Sequence, residues 1–205
     1  MLMTTVLVIG ASRGIGLEFV RQYRAEGARV IATARDAEAL ATLRGLGAQA
    51  LRLDVVDPAS VSGLSWQLDG EKLDLAVYVA GVWHGDGAST PPTREAFDHV
   101  MHANVLGAMQ AAPQVLPMVE AASGRMAFIT SGMGCIGEAE SSHGWLYRVS
   151  KAALNMAVAS ARHDWRGATL VALCPGWVRT DMGGAAAPLS AQDSVAAMRA
   201  TLDRL

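Results

Sequence analysis

Apolar and β-branched residues recur along the chain in runs of four to six residues, within which the hydrophobic positions are nearly continuous rather than alternating. Continuous runs of this length are typical of strands that are buried on both faces of a parallel sheet. The sequence therefore predicts six buried strands, at residues 5–9, 28–33, 50–53, 75–79, 126–130 and 169–173.

Helical stretches lie between and after these runs, at residues 15–25, 37–43, 59–67, 94–119, 147–164 and 191–202. Pro113 and Pro117 predict a kink or a break in the longest of them. Because strands and helices alternate, the sequence predicts a single α/β domain over residues 1–205. Its fold would be a doubly wound, Rossmann-type parallel sheet with right-handed crossovers and helices on both faces.

Composition and charge narrow the possible functions. The 205 residues are 51% hydrophobic and 18% charged, with a formal net charge of -2, so the chain has no basic face for nucleic acid and no polybasic membrane segment. No run approaches the ~20 apolar residues that cross a bilayer. Residues 1–9 are apolar but lack a basic leader, which predicts a strand rather than a signal peptide and a cytoplasmic protein. We expect a small molecule as the partner.

Cysteine and histidine spacings predict no metal site. Cys135 and Cys174 show neither a metal-type spacing nor a disulfide framework, so we expect free thiols in a reducing compartment. His99 and His102 lie three residues apart on a predicted helix, but no third ligand is near them in the sequence.

A glycine-rich turn, with the sequence Gly-Ala-Ser-Arg-Gly-Ile-Gly at residues 10–16, follows the first predicted strand and opens a helix. Glycines permit positive φ and the close approach of a phosphate, and the helix start offers free N–H groups. The spacing differs from the G-x-G-x-x-G of many dinucleotide folds, and such turns also serve purely structural ends. The position in the first βα unit favours dinucleotide binding. The predicted contacts are Gly10, Ser12, Arg13, Gly14, Ile15 and Gly16.

The end of the second strand bears on the choice of cofactor. An acidic residue at the strand tip would bind a ribose 2′-hydroxyl, but Ala34 stands there and Arg35 follows it. Arg35 and Arg13 could together grip a 2′-phosphate, which predicts NADP rather than NAD. The alternative is that both arginines are solvated surface groups and that Asp36 is the ribose ligand.

Tyr147 and Lys151 lie four residues apart at the start of an alanine-rich predicted helix, so their side chains would emerge on one face. A cation beside a phenol favours the phenolate and lowers the phenol pKa from about 10. The pair is therefore a candidate acid/base. Such pairs also occur on many helices where they only pack.

With the glycine turn, Ser131 and Tyr147-x-x-x-Lys151 in this order, the chain resembles the short-chain dehydrogenase/reductase family over nearly its whole length. Residues 147–155 and 177–184 are similar to the C-factor-like and sniffer-type carbonyl reductases of that family. The resemblance implies further cofactor contacts in three segments. They are Asp54 and Val55 beside adenine, Ala80 and Gly81 after the fourth strand, and Pro175, Gly176, Val178 and Thr180 over the nicotinamide, with Thr180 at its carboxamide.

The resemblance also implies a mechanism. Tyr147 would give a proton to a carbonyl oxygen, or take it back in the oxidative direction, while NADPH delivers hydride to the carbon. Lys151 would lower the pKa of the phenol and hold the ribose, and Asn104 would bind a water that relays protons to Lys151. Ser131 would hydrogen-bond the substrate oxygen.

Thr130 and Ser142 are alternatives to Ser131, which we favour because it follows a strand, where open α/β sheets place their ligands. Trp83, His84 and Trp145 would line the substrate mouth or else cover the core.

The predicted function is an NADP-dependent carbonyl reductase or alcohol dehydrogenase that acts on a small-molecule carbonyl or alcohol as a homodimer or homotetramer. Its rivals are a dinucleotide-binding regulatory protein with little turnover and a reductase of another substrate, such as an enoyl thioester. Two departures from the family stand out. Tyr78 and Val79 replace two asparagines, and the sequence ends at Leu205, so that the final strand of the family would be missing.

Overall fold

The computed structural model describes residues 4–205 and shows one sheet of six parallel strands in the order β3-β2-β1-β4-β5-β6. This order, with helices on both faces, confirms the predicted Rossmann-type fold. Residues 1–3 of the apolar N-terminal run lie outside the described residues. The strands are β1 Thr5–Ile9, β2 Arg29–Ala34, β3 Gln49–Arg52, β4 Leu75–Tyr78, β5 Arg125–Ile129 and β6 Thr169–Leu173.

Eight α-helices connect and follow the strands within residues 4–205. The predicted helix at residues 59–67 is two short helices in the structure, α3 and α4. Within the described residues, no helix is long and apolar enough to cross a membrane. The helices are α1 Gly14–Ala25, α2 Ala37–Gly45, α3 Pro58–Ser62, α4 Leu64–Gln67, α5 Arg94–Met101, α6 Gly107–Glu120, α7 Trp145–Ala161 and α8 Ala191–Leu202.

Two apolar layers enclose the sheet because alternate side chains of a strand point to opposite faces. In β1, Val6 and Val8 pack with α1, α2 and α8, whereas Leu7 and Ile9 pack with α3, α6 and α7. The central strands are therefore buried on both faces, as predicted. The edge strands β3 and β6 are not, because each has only one neighbouring strand and several of their residues are exposed.

The long helix predicted at residues 94–119 is interrupted, but not at its prolines. Pro113 and Pro117 both lie inside α6, so the prediction of a helix break at these prolines is wrong. Each proline removes one backbone N–H bond, but the buried apolar face of α6 holds the helix together by packing. The irregularity is instead a π-helical segment, His102–Leu106, between α5 and α6.

Tyr78 ties the end of β4 to this π-helical segment. Its hydroxyl donates a hydrogen bond of 3.1 Å to the carbonyl of Ala103, and the ring is fully buried. Gly107 leaves room for it, since a Cβ there would lie 2.7 Å from the Tyr78 hydroxyl. The phenol thus supplies a polar tie where the family carries asparagine, and it fixes the backbone beside Asn104.

Candidate active site

A cavity of about 1450 Å³ runs along the carboxyl edge of the sheet, from the turn after β1 to the loop after β6. Open α/β sheets bind their ligands at this edge. Its volume exceeds that of a typical pocket for one small ligand, about 300–1,000 Å³. The cavity therefore has room for an extended ligand and a second, smaller molecule.

The glycine turn forms one end of the cavity, and two of its glycines are sterically required. Gly10 has a φ of +87°, and a Cβ there would lie 2.7 Å from the backbone nitrogen of Ala80. A Cβ on Gly16 would lie 2.2 Å from the Gly10 carbonyl oxygen. Thr33 fixes the turn, because its hydroxyl accepts from the Gly10 N–H at 3.1 Å and its carbonyl accepts from the Ala11 N–H at 2.8 Å.

The amino end of α1 opens towards the cavity. No side chain caps this helix, and its first turn contains no acidic residue. Its first N–H groups and positive dipole end are therefore available to an anion such as a phosphate. The residues predicted to contact the cofactor here line the cavity, except Gly16, which packs under the turn: Gly10, Ser12, Arg13, Gly14 and Ile15.

The two arginines proposed for a 2′-phosphate have different surroundings. Arg13 pairs with Asp181 at 2.9 Å, and both side chains are about three-quarters exposed, at 76% and 73%. Arg35 lines the cavity and forms no salt bridge within residues 4–205. Asp36 caps α2 by accepting the Ala39 N–H at 2.8 Å, so one of its oxygens is already used.

The other predicted cofactor residues also surround the cavity. Asp54 and Val55 follow β3, and Ala80 and Gly81 follow β4. Thr180 crosses to the glycine turn, where its methyl group would lie 3.2 Å from a Cβ on Gly14. Its hydroxyl accepts the Gly183 N–H at 3.1 Å. Pro175, Gly176 and Val178 line the same wall.

Tyr147, Lys151 and Ser131 all line the cavity, and the Ser131 hydroxyl lies within hydrogen-bonding reach of the Tyr147 phenol. Tyr147 and Lys151 lie on α7, both buried, with the Lys151 Nζ 5.5 Å from the centre of the phenol ring. Ser131 follows β5 and accepts the Met133 N–H at 3.1 Å. Thr130 is buried and donates to Asn155 at 2.6 Å, so it is less available to a substrate than Ser131.

Burial shifts both acid/base groups away from their ordinary pKa values. Burial raises the pKa of Tyr147 to about 12, and the neighbouring Ser131 hydroxyl only partly counteracts this. Burial also lowers the pKa of Lys151 to about 8. The predicted lowering of the Tyr147 pKa by Lys151 is therefore wrong for this geometry. The ammonium faces the ring and donates to the Ile129 carbonyl at 2.8 Å instead of neutralising the phenol oxygen.

Asn104 lies in the π-helical segment and is fully buried. Its amide accepts the Val82 N–H at 2.7 Å and donates to the Val82 carbonyl at 3.0 Å and the Ser150 hydroxyl at 2.9 Å. Ser150 in turn donates to the Tyr147 carbonyl at 2.7 Å. Asn104 thus links the end of β4 to α7. A Cβ on Gly81 would lie 3.0 Å from the Asn104 side-chain oxygen and 3.7 Å from the Lys151 Nζ, so both groups lie beside Gly81.

Sequence reasoning missed Ser150, although it lies three residues after Tyr147, on the same face of the predicted helix. It also missed Asp181, for which no local pattern gave a signal. Cys174 was noted only as a free thiol. Its sulfur accepts the Gly132 N–H at 3.2 Å and lines the cavity near Tyr147.

Trp83 lines the cavity and contacts Tyr147, with 4.7 Å between the ring centres. His84 and Trp145, which were also candidates for the substrate mouth, do not line it, and neither does Ser142. Ser142 lies beside Gly87.

The fold and this cluster define a Rossmann-type α/β protein whose cavity is lined by a buried tyrosine and a buried lysine from one helix. A family model described as short chain dehydrogenase matches residues 4–189. The chain therefore belongs to the short chain dehydrogenase family, and the predicted resemblance is confirmed.

Two relatives show how the similarity is distributed. C-signal of Myxococcus xanthus is 45% identical over 105 residues, which are 50% of this chain and 63% of that protein, so the match spans less than two thirds of it. The 1-hydroxy-2-glutathionyl-2-methyl-3-butene dehydrogenase of Rhodococcus sp. (strain AD45) is 32% identical over 185 residues, 88% of this chain and 80% of that protein.

Solved structures agree with this assignment. A short-chain dehydrogenase/reductase-type structure from Burkholderia multivorans, with bound NADP, has a TM-score of 0.91 at 29% identity and covers 98% of this chain and 91% of its own. The carbonyl reductase Sniffer of D. melanogaster has a TM-score of 0.89 at 24% identity and covers 99% of this chain and 92% of its own. At this identity the similarity shows the fold alone. Membership of an oxidoreductase family follows from these matches, but a substrate does not.

Proposed function

We propose that the protein is an NADP(H)-dependent carbonyl reductase that converts a small carbonyl compound to its alcohol, or the reverse. The observation that carries the proposal is that Tyr147, Lys151 and Ser131 all line one cavity, which begins at a glycine-lined helix start. A bound nicotinamide would supply the hydride for this reaction. The chain supplies the binding surface, the orientation and the proton.

The cavity residues fit a dinucleotide. Gly10 packs directly against Ala80 and lines the cavity, so the glycine turn is held close to the carboxyl end of β4. The uncapped start of α1 would hold the phosphates, and Asp54 and Val55 would border the adenine. Pro175, Gly176, Val178 and Thr180 would cover the nicotinamide end.

The phosphorylated form of the cofactor is favoured by Arg35 and Asp36. Arg35 is exposed at the cavity, where a guanidinium can bind a 2′-phosphate, and Asp36 is engaged in capping α2. The similar structure from Burkholderia multivorans contains NADP. NAD is the less suitable cofactor because Ala34, and not an acidic residue, stands at the tip of β2.

Tyr147 is suited to act as a general acid. Because its pKa is raised to about 12, the phenol carries its proton throughout the neutral range. It would give this proton to the oxygen of the carbonyl group as negative charge develops there. Ser131 would donate a second hydrogen bond to that oxygen.

Lys151 would bind the ribose and restore the proton of Tyr147. With a pKa of about 8 it can exchange a proton near neutral pH, and the Asn104 side-chain oxygen, which like the Lys151 Nζ lies beside Gly81, could hold a relay water. The regulatory alternative would not need this intact set of buried polar groups, so we favour the enzyme.

The proposed setting is a cytoplasmic homodimer or homotetramer that binds neither nucleic acid nor membrane. Exposed apolar side chains on neighbouring helices support the self-association. They are Phe97 on α5, Met109 on α6, and Val149 and Met156 on α7.

The test is a fluorescence titration with NADPH and NADH, followed by a panel of ketones and aldehydes monitored by NADPH absorbance. We expect NADPH to bind at least about tenfold more tightly than NADH, and the Arg35→Ala variant to lose most of that difference. Binding of neither nucleotide, or binding without turnover of any carbonyl compound, would contradict the proposal.

A further inference from the structure

The segment 82–87 forms a wall beside the reacting phenol. Val82 is fixed through both its N–H and its carbonyl by the side chain of Asn104. The other end of the segment is joined to the start of α7, because Trp145 donates its N–H to the Asp86 carbonyl at 3.0 Å. Trp83 is therefore held in a segment that is anchored on both sides.

The indole of Trp83 fits between two glycines. A Cβ on Gly144 would lie 2.6 Å from the edge of the indole, and a Cβ on Gly85 would lie 3.2 Å from its nitrogen. Gly144 has a φ of +69°, so the backbone there also favours glycine. This fit places the indole in one position relative to Tyr147.

The indole remains partly open to the cavity. Tyr147 and His143 contact it with centre-to-centre distances of 4.7 and 5.5 Å, but both rings are tilted, by 58° and 53°. Neither covers a face of the indole by parallel stacking, and 37% of Trp83 is exposed. A flat ring entering the cavity can therefore take an offset-stacked position on it.

The surroundings of Trp83 are largely apolar or aromatic. Met133 reaches the same glycine, since its terminal methyl would lie 3.0 Å from a Cβ on Gly144. Arg148, on the first turn of α7, also lines the cavity, and its guanidinium donates to the His143 carbonyl at 2.9 Å. Exposed Trp177 and Met182 face the same cavity from the loop after β6.

We propose that Trp83 is a specificity-determining residue that stacks on an aromatic or conjugated group attached to the substrate carbonyl, so that aryl ketones and aldehydes are preferred to saturated ones of equal size. This inference rests on the proposed carbonyl reduction and names its substrate class. Thioether and aromatic groups around an indole suit such a ring better than they suit an anionic substrate.

The test compares acetophenone with cyclohexyl methyl ketone, which have the same number of carbon atoms and the same methyl carbonyl group. The measured quantity is the ratio of their kcat/KM values with NADPH. We expect Trp83→Leu to lower this ratio about three- to tenfold and Trp83→Phe to keep it within about twofold. Trp66→Leu, at an 83% exposed tryptophan on α4, is the control and should leave it unchanged.

A second variant displaces the indole without changing it. Gly144→Ala would push against Trp83, whereas Gly70→Ala has a similar positive φ of +76° but no atom within 4 Å of the new methyl group. We expect the first variant to lower the ratio and the second to leave it unchanged. A ratio that is unaffected in both Trp83→Leu and Gly144→Ala would overturn the inference.

The two proposals fail in different ways. If the wild-type protein reduces aliphatic carbonyl compounds but neither acetophenone nor any other aryl ketone or aldehyde, the role of Trp83 is wrong and the carbonyl reduction stands. If it binds NADPH and reduces no carbonyl compound at all, the proposed function itself is wrong.

Discussion

The two sides of the cavity are built in different ways. The side formed by α7 is buried and tied to the backbone, because Lys151 donates to Ile129 and Ser150 joins Tyr147 to Asn104. The side formed by residues 175–184 is largely exposed, and it reaches the glycine turn through a surface ion pair between Arg13 and Asp181. A buried hydrogen-bond network holds its side chains in one geometry, whereas an exposed ion pair contributes little to stability.

We associate the α7 side with the proposed proton transfer and the side of residues 175–184 with the proposed nucleotide binding. The proposed proton donor, Tyr147, and its partners are fixed before any ligand arrives, which is what efficient proton transfer requires. On the opposite side, a phosphate can replace Asp181 as the partner of Arg13 at a small cost in free energy. That side is therefore suited to admit and release a nucleotide. We therefore expect substitutions on the α7 side to change turnover and those on the other side to change affinity.

The largest effect is expected at Tyr147. Replacing it with phenylalanine removes the proton donor but keeps the ring against Trp83, so kcat should fall about 10²- to 10⁴-fold. The binding of NADPH should change little. The control is Tyr23→Phe, at a buried tyrosine on α1. Turnover by Tyr147→Phe that equals turnover by this control would exclude the proposed role.

A smaller loss is expected for Ser131→Ala. Removing one hydrogen-bond donor from the developing charge should lower kcat about 10²-fold. Ser160→Ala on the exposed face of α7 removes a hydroxyl that only bonds to the Met156 carbonyl, and it should have no effect. If Thr130→Val lowers kcat more than Ser131→Ala does, the hydroxyl has been assigned to the wrong residue.

Lys151 should make the stability of the fold depend on pH. Its folded pKa of about 8 lies below its usual 10.5, so below pH 8 the folded state bears the cost of a buried charge. That cost is lost progressively as the pH rises from about 8 towards 10.5, because there the folded state has released the proton and the unfolded chain still holds it. Between pH 7 and 10 the free energy of unfolding should rise by about 2 kcal/mol relative to Lys151→Met.

Denaturant unfolding at the two pH values measures this difference. Lys72→Met is the matched control, since it makes the same substitution at an exposed lysine. A parallel pH dependence in the wild type and in Lys151→Met would show that Lys151 is not held in a buried, poorly solvated position.

The smallest effect is expected across the cavity. Asp181→Asn frees Arg13 for a 2′-phosphate, which should tighten NADPH binding about two- to fivefold at low salt and leave NADH binding unchanged. Asp98→Asn, which breaks a comparable exposed pair with Arg94 on α5, is the control. Weaker binding of NADPH by Asp181→Asn would contradict the proposed exchange.

Much of this architecture could be predicted from the sequence, because buried parallel strands leave a simple pattern. The strands at residues 5–9 and 169–173 have the predicted bounds. The convergence of Ser131 and Tyr147 also follows from motif order, since both come after β5 at the same edge of the sheet.

Other features depend on contacts between distant residues, and no local pattern predicts them. The π-helical segment at residues 102–106 adjoins Tyr78, which lies 25 positions away from its partner Ala103. The sign of the Tyr147 pKa shift depends on how deeply the ring is buried and on where the Lys151 ammonium points. The four-residue spacing of Tyr147 and Lys151 determines neither the depth of burial nor the direction of the ammonium.

The central claim is that the buried phenol of Tyr147 protonates a carbonyl group that receives hydride from a nicotinamide in the cavity. It is tested most directly with acetophenone and NADPH that carries deuterium at both C4 positions, followed by mass spectrometry of the alcohol. The account predicts one deuterium on the carbinol carbon with the wild-type protein and almost no product with Tyr147→Phe. An alcohol without deuterium, or equal product from both proteins, would contradict it.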